Sequence, residues 1–252
     1  MKRCFFLMAC ATLLFAFTAC GADEQTRAVI SMIESIGDVA LYSESEILEA
    51  ENALRALTDR QRENVNNSVL LLDARNTLDE LLEREHLAYL FRVQYLSELQ
   101  EVYTEIQSMF TILKILNAVV IDVWQVAINT RNVDFNDALG RLYEGRMGLW
   151  GGTVIIPTAD AAEAFRTLLD EAIAHNEMLN ATITNMNNPP DEYRDLYTAI
   201  VNLYSSARAL LQHVESPSGN IRSFSDGRNA IIAEINQQIT VLEITHPEIT
   251  RD

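Results

Sequence analysis

The chain has 252 residues, 48% of them hydrophobic, and a formal net charge of −17 from Lys+Arg 19 against Asp+Glu 36. Such acidity repels phosphate backbones and anionic headgroups, which speaks against nucleic acid or an acidic lipid surface as a direct partner. The length is enough to bury a real core in one or two domains, and three cysteines are too few for a disulfide framework.

The N-terminus reads Met1-Lys2-Arg3, an apolar run from Cys4 to Phe17, then Thr18-Ala19-Cys20-Gly21. Two cations before about a dozen apolar residues form a secretory signal, and the run is short of the roughly 20 residues a membrane span needs. The stretch Phe17-Thr18-Ala19-Cys20 resembles the lipobox of bacterial lipoproteins. That resemblance implies a cleaved signal peptide at 1–19 and a diacylglyceryl group on the Cys20 thiol. An ordinary signal peptide with a chance cysteine is the alternative. Cleavage would remove Cys4 and Cys10 and leave Cys20 as the one thiol of an exported chain, and lipidation accounts for it. Two acyl chains hold a protein stably at a membrane, since each buried CH₂ contributes about 0.8 kcal/mol. The expected location is the extracytoplasmic face of the cell membrane, with the lipid as anchor.

Glycine and proline punctuate the rest. Neither occurs between Gly37 and Gly140, and the prolines fall at 157, 189, 190, 217 and 247. The apolar period is helical nearly throughout, which predicts an all-α fold: a small helical module leading into an antiparallel bundle of about four long helices. In chain order, a tether at 20–28 precedes a helix at 25–36 with Val29, Ile33 and Ile36 on one face, stopped by Gly37. Ser43-Glu44-Ser45-Glu46 reads as a capping box for a helix to about Ala56, and Thr58-Asp59-Arg60-Gln61 as another for a short helix ending at Asn66-Asn67. A helix from about Ser68 carries Leu71, Leu72, Leu78, Leu81 and Leu82.

The run Ile33 to Leu41, with Ile47, Ala50, Leu54, Leu57-Thr58-Asp59, Gln61, Val65 and Asn67, is similar to a small helical module of Gram-positive surface proteins. The likeness covers about 29–83 and implies a spacer or adhesive-type building block with no catalytic residues.

From Arg84 to Thr130 the pattern predicts one long helix, or two with a kink. Its part from Met109 to Ile128 is apolar almost all round, with Lys114, Asn117, Asp122 and Gln125 on one stripe; this reads as a central bundle helix, with a membrane span as the alternative. A short helix from Asp134 to about Glu144, a Gly-rich loop at 145–157, and helices at 159–186, 190–215 and 222–244 follow, the last capped by Ser223 or Ser225. The domain plan is therefore 1–19, 20–28, 29–83, a bundle at 84–246 and a tail at 247–252. Trp124, Asp134-Phe135-Asn136, Asn188-Pro189-Pro190, Tyr193, Tyr197, Tyr204 and Ser216-Pro217-Ser218-Gly219 resemble a group of helical Firmicutes proteins, many of them lipoproteins. That likeness spans about 85–245 and implies a fold, not an activity.

Chemistry is sparse. Glu83-Arg84-Glu85-His86 holds one Glu-x-x-His, and Glu171 and His175 share a helix face, but a di-iron bundle needs two such pairs and two further glutamates. A metal site is expected only if these four meet in space. There is no Gly-x-Ser-x-Gly, no His-Glu-x-x-His and no phosphate loop. Tyr193, Tyr197 and Tyr204 form a stripe that reads as core, with a ligand groove as the alternative; Trp150, among glycines in a long loop, either plugs the bundle end or contacts a ligand. The expectation is a non-enzymatic envelope protein, a scaffold or partner-binding module with no cofactor. A small-molecule or peptide binder using a groove near Trp150 is the alternative, and a metal-dependent enzyme is a weaker one.

Overall fold

A computed structural model describes residues 22–130, 134–144 and 159–250. The signal peptide, Cys20, the loop 145–157 with Trp150 and residues 251–252 lie outside the described residues. The described chain is helical: α1 Ala22–Ser35, α2 Glu44–Ala56, α3 Asp59–Arg62, α4 Ser68–Thr130, α5 Phe135–Tyr143, α6 Ala159–Asn185, α7 Arg194–Glu215 and α8 Ile221–Thr245. It divides into two compact units, the first ending at Leu90 and the second beginning at Phe91.

In the first unit, Val29, Ile33 and Ile36 of the first segment pack with Ile47, Ala50, Leu57, Val65, Leu71, Ala74 and Leu78. The predicted tether is already helix from Ala22. The reason is periodicity: Thr26 is buried together with Val29, extending the inward face one turn earlier. Gly37 adopts φ +60, the left-handed conformation expected of the residue that stops α1. Ser43 does not cap α2. Its buried hydroxyl turns back to accept from the Ala40 N–H at 3.1 Å, closing a 3-10 turn at Leu41–Ser43. At α3, Gln61 Oε1 accepts from both the Thr58 N–H at 3.0 Å and the Thr58 hydroxyl at 2.8 Å. α3 ends at Arg62, short of Asn66-Asn67, and Asn67 instead donates to the Ile30 carbonyl at 2.9 Å. Arg75 of α4 meets Glu51 of α2 at 2.6 Å, with both side chains largely shielded.

The second unit buries α4 from Tyr95 onward against α5–α8. Arg84–Thr130 is assigned as one uninterrupted helix, part of α4, which starts at Ser68. By length and composition α4 passes as a membrane span, yet Leu113, Leu116, Val120 and Val123 are spent in this core. The expected polar stripe is broken: Asp122 and Gln125 are exposed, but Asn117 is fully buried, its amide donating to the Leu113 carbonyl at 2.9 Å. α8 is capped by Asn220, whose side chain accepts from the Ser223 N–H at 3.0 Å while Ser223 Oγ accepts from the Asn220 N–H at 3.0 Å; Ser223 is the third helical residue, not the cap. The predicted tail docks: Pro247–Thr250 forms a 3-10 turn, Ile249 is buried, and Gln100 donates to the Glu248 carbonyl at 2.7 Å.

One corner recurs. Residues 31–50 and 181–200 run through the same sequence of states: helix, turn, bend, two residues without regular structure, a 3-10 turn, helix. Ile33, Ile36 and Ala50 are buried in one; Ile183, Met186 and Ile200 in the other. The Ser43 N–H donates to the Ala40 carbonyl and the Tyr193 N–H to the Pro190 carbonyl, each at 2.9 Å. The helix expected at 190–215 accordingly starts as this 3-10 turn at Asp191–Tyr193 and becomes α-helical at Arg194.

The hydrogen bond from Arg75, aided by its charge, holds the Glu51 carboxyl below its ordinary value against the opposing effect of burial. A group with a lowered folded pKa contributes stability above its unfolded pKa and loses it as pH falls through the folded one. Glu51→Gln is therefore expected to lower unfolding stability by about 1 kcal/mol at neutral pH. The gap to the unsubstituted chain should close as pH drops below the usual carboxylate range. Urea unfolding followed by circular dichroism at pH 7 and pH 3 checks both halves; an undiminished gap at pH 3 refutes the assignment.

Candidate functional site

The tyrosine stripe of α7 is tied inward. Tyr197 donates to the Ile183 carbonyl at 3.1 Å, and Tyr204 reaches the carbonyl and side-chain oxygen of Asn176 at 3.2 and 2.9 Å. Tyr193 stacks on Tyr95, ring centroids 6.2 Å apart at 7°, and Tyr95 donates to the Met186 carbonyl at 2.6 Å. Two phenols outside the stripe behave alike: Tyr143 donates to the Val214 carbonyl and Tyr103 to the Glu243 carboxylate at 2.8 Å. The α-helical geometry leaves the last carbonyls of α6 and α7 without partners, and these hydroxyls answer several of them. Tyr204 is buried in the second core and Tyr193 and Tyr197 are half-buried against it, with the hydroxyls of Tyr197 and Tyr204 fastened to α6.

Burial sets the protonation of these phenols. It pushes Tyr95 up to about 12, with Tyr197 and Glu98 nearby adding to the effect. Tyr103 and Tyr143 are raised too, by burial first and by Glu243 and Glu215 respectively. Burial also raises Tyr193 and Tyr204. All are therefore neutral donors near neutral pH.

The four residues of the metal hypothesis do not assemble. Among the described residues no three His, Cys, Asp or Glu side chains come together in a way that could hold a metal ion. Glu83 and His86 are exposed on α4. His175 instead faces Glu105 of α4, Nδ1 to Oε2 3.0 Å, a close contact not aligned as a hydrogen bond, with Glu171 at 3.9 Å from its other nitrogen. His213 is structural: it stacks on Phe224 at 4.1 Å, and its Nε2 lies 2.9 Å from the Phe224 carbonyl. Gly227 permits that approach, since a Cβ there would stand 3.2 Å from the imidazole. His246 sits beside Glu248 at 3.2 Å.

Two surface grooves stand out among the described residues. One of about 250 Å³ lies between α1 and α2, over Ala28, Met32, Ala53 and Ala56. The larger, about 330 Å³, lies between α7 and α8, over Ala199, Asn202, Glu234 and Gln238, and includes none of Tyr193, Tyr197 or Tyr204. Sequence reasoning missed it because its two walls lie on helices whose mutual rotation no single-helix pattern fixes. The faint signal was the amide pair Gln237-Gln238, set just before the apolar Val241-Leu242.

No family model, curated protein or solved structure matches the chain.

A raised folded pKa means that the neutral phenol contributes in full below the unfolded value near 10 and that the contribution disappears as pH rises through the folded value. The chain is thus expected to lose helical circular dichroism between about pH 10 and 12, in step with delayed tyrosinate absorbance at 295 nm. Tyr95→Phe should cost about 1–2 kcal/mol at pH 7, because the Met186 carbonyl loses its donor, while weakening the alkaline transition. Tyrosinate absorbance complete before any loss of helix would contradict this.

Proposed function

We propose that this is a lipid-anchored envelope protein, held at the extracytoplasmic face of the membrane through Cys20 and acting as a scaffold or partner-binding module without catalysis of its own. The carrying observation is the recurring corner at 31–50 and 181–200, one in each compact unit. A corner shared by two separate cores fits a chain assembled from helical modules, the architecture of a spacer or binding scaffold. The fate of the polar groups agrees with this reading. The phenols of Tyr95 and Tyr197 and the imidazole of His213 are occupied with carbonyls of neighbouring segments, and the Tyr204 hydroxyl with Asn176. The N-terminal pattern from Lys2 to Cys20 supports the anchor, and the likeness of 29–83 to a surface-protein module supports the spacer role.

The anchor and the partner are tested separately. Cys20→Ser is expected to abolish metabolic labelling with a radioactive fatty acid and to release the chain from the membrane fraction; labelling at the original level would overturn the anchor. Crosslinking in intact cells followed by pull-down of the lipidated protein is expected to recover an envelope partner, and recovery of none counts against the scaffold.

A further inference from the structure

We propose that the groove between α1 and α2 docks a basic amphipathic helix of a partner protein. The second unit holds the same hairpin face with its cover in place. The register that matches Ile33 with Ile183 also pairs Val29 with Leu179, Ile36 with Met186, Ala50 with Ile200 and Leu57 with Ala207, and every one of these is buried. The positions that differ follow the groove. Gln25, Met32 and Ala56 are exposed and Ala53 is half-buried, and all four line it. Their counterparts are covered: Leu203 and Ser206 are buried, and His175 and Thr182 half-buried. The cover comes from two helices. Glu105 of α4 stands 3.0 Å from His175, and Glu234 of α8 accepts from the Ser206 hydroxyl at 3.1 Å. In the first unit no residue of α4 lines the groove. There Arg75 of α4 meets Glu51, which lies two residues from Ala53 and so on another side of α2. The α1–α2 hairpin thus spends one side on α4 and leaves open the side that its counterpart closes with helices.

Size and charge choose the occupant. The volume, about 250 Å³, falls below the range of small-ligand sites, so apolar side chains of an incoming helix suit it better than a free small molecule. Ala53 stands where the second unit has Leu203, which leaves room for a larger side chain from outside. Glu49 and Glu46 lie four and seven residues before Ala53, on the same face of α2, and both are exposed. The counterpart of Glu46 is Leu196, buried in the second core. Carboxylates on a face that is otherwise apolar call for cations on whatever covers it, and no lysine or arginine lines the groove. The docked helix therefore carries apolar residues at i, i+3 or i+4 and i+7, with lysine or arginine beside them. A second copy of the chain would bring a charge of −17 to an acidic rim. The site rests on the partner-binding reading and names the partner's chemistry, and it does not use the lipid anchor.

The test is fluorescence anisotropy on the full chain in a non-ionic detergent at low ionic strength, read against detergent alone. The probe is a fluorescein-labelled peptide of leucine and lysine, about five helical turns long, with its leucines at i, i+3, i+4 and i+7. One control peptide has glutamate for lysine, and the other has the same leucines and lysines scrambled out of period. Saturable binding of the first peptide alone is expected. Glu46→Gln with Glu49→Gln should weaken it about fivefold. Glu163→Gln with Glu177→Gln, two exposed carboxylates on α6, should leave it unchanged. Ala28→Trp and Ala56→Trp, which fill the groove from exposed positions on its two walls, should each abolish binding with the helical circular dichroism intact. Absence of saturable binding, equal weakening by the two glutamine pairs, or equal binding of either control peptide overturns the proposal. So does a dimer in sedimentation equilibrium that the tryptophan variants dissociate, since it assigns the groove to a second copy. In the intact-cell crosslinking the tryptophan variants should lose the partner that the unsubstituted chain recovers. A partner kept by both variants overturns this site and leaves the scaffold standing, whereas recovery of none by any chain counts against the scaffold itself.

Discussion

The helix α4 carries the constraint on which both cores depend. Its first turns supply Leu71, Ala74 and Leu78 to one core, and residues from Tyr95 to Trp124 line the other. A helix of 63 residues continues only if nothing in it removes a hydrogen bond or prefers another conformation, and no glycine or proline stands between Gly37 and Gly140. Its inward face changes as it runs. Where it enters the second unit it buries large side chains such as Leu99, Ile106, Met109 and Leu113, and these fix where α6, α7 and α8 can pack. Asn117 is the exception within that face: its amide folds back on the helix's own backbone, and its oxygen has no partner. A buried polar group of this kind costs stability compared with an apolar residue of the same shape.

A second device completes the helix ends. α1 ends at a left-handed glycine, the usual solution for carbonyls that have run out of partners. α6 and α7 end without one. There Tyr95 and Tyr197 reach carbonyls at the end of α6, and Tyr143 reaches one at the end of α7. Each phenol packs its ring in or against the core and uses its hydroxyl where the backbone needs a donor. For Tyr95 and Tyr143 the cost is a raised pKa, harmless near neutrality. The benefit is that packing and capping come from the same residue.

The all-α class and most helix bounds were legible because a 3.6-residue apolar period and the Gly and Pro positions are local signals. Val29, Ile33 and Ile36 faced inward as read, and Gly37 took its predicted conformation. What escaped was non-local. Ser43 has the sequence context of a cap, but burial turns its hydroxyl toward Ala40. Asn220 was passed over in favour of nearby serines because cap and third residue are chemically alike, and only geometry assigns the roles. Tyr193, Tyr197 and Tyr204 were visible as a stripe, but the acceptors of their hydroxyls lie on another helix. Glu171 and His175 were visible as a pair, yet the nearer partner of His175 is Glu105, far away in sequence. The recurring corner was invisible for a related reason: across 31–50 and 181–200 the two stretches share a single identical residue, Ile33 with Ile183.

That last fact bears on function. Two sequences with one residue in common make the same corner, so what they share is shape: an inward apolar residue before the turn, a residue tolerant of left-handed backbone (Gly37, Asn187), two residues without regular structure, and a 3-10 turn feeding the next helix. Positions that must only hold a shape tolerate many residues, whereas positions that must perform a reaction tolerate few. Among the described residues, Tyr95, Tyr197 and His213 are engaged with backbone carbonyls and Tyr103 with the Glu243 carboxylate, so these polar groups hold the shape of the second core.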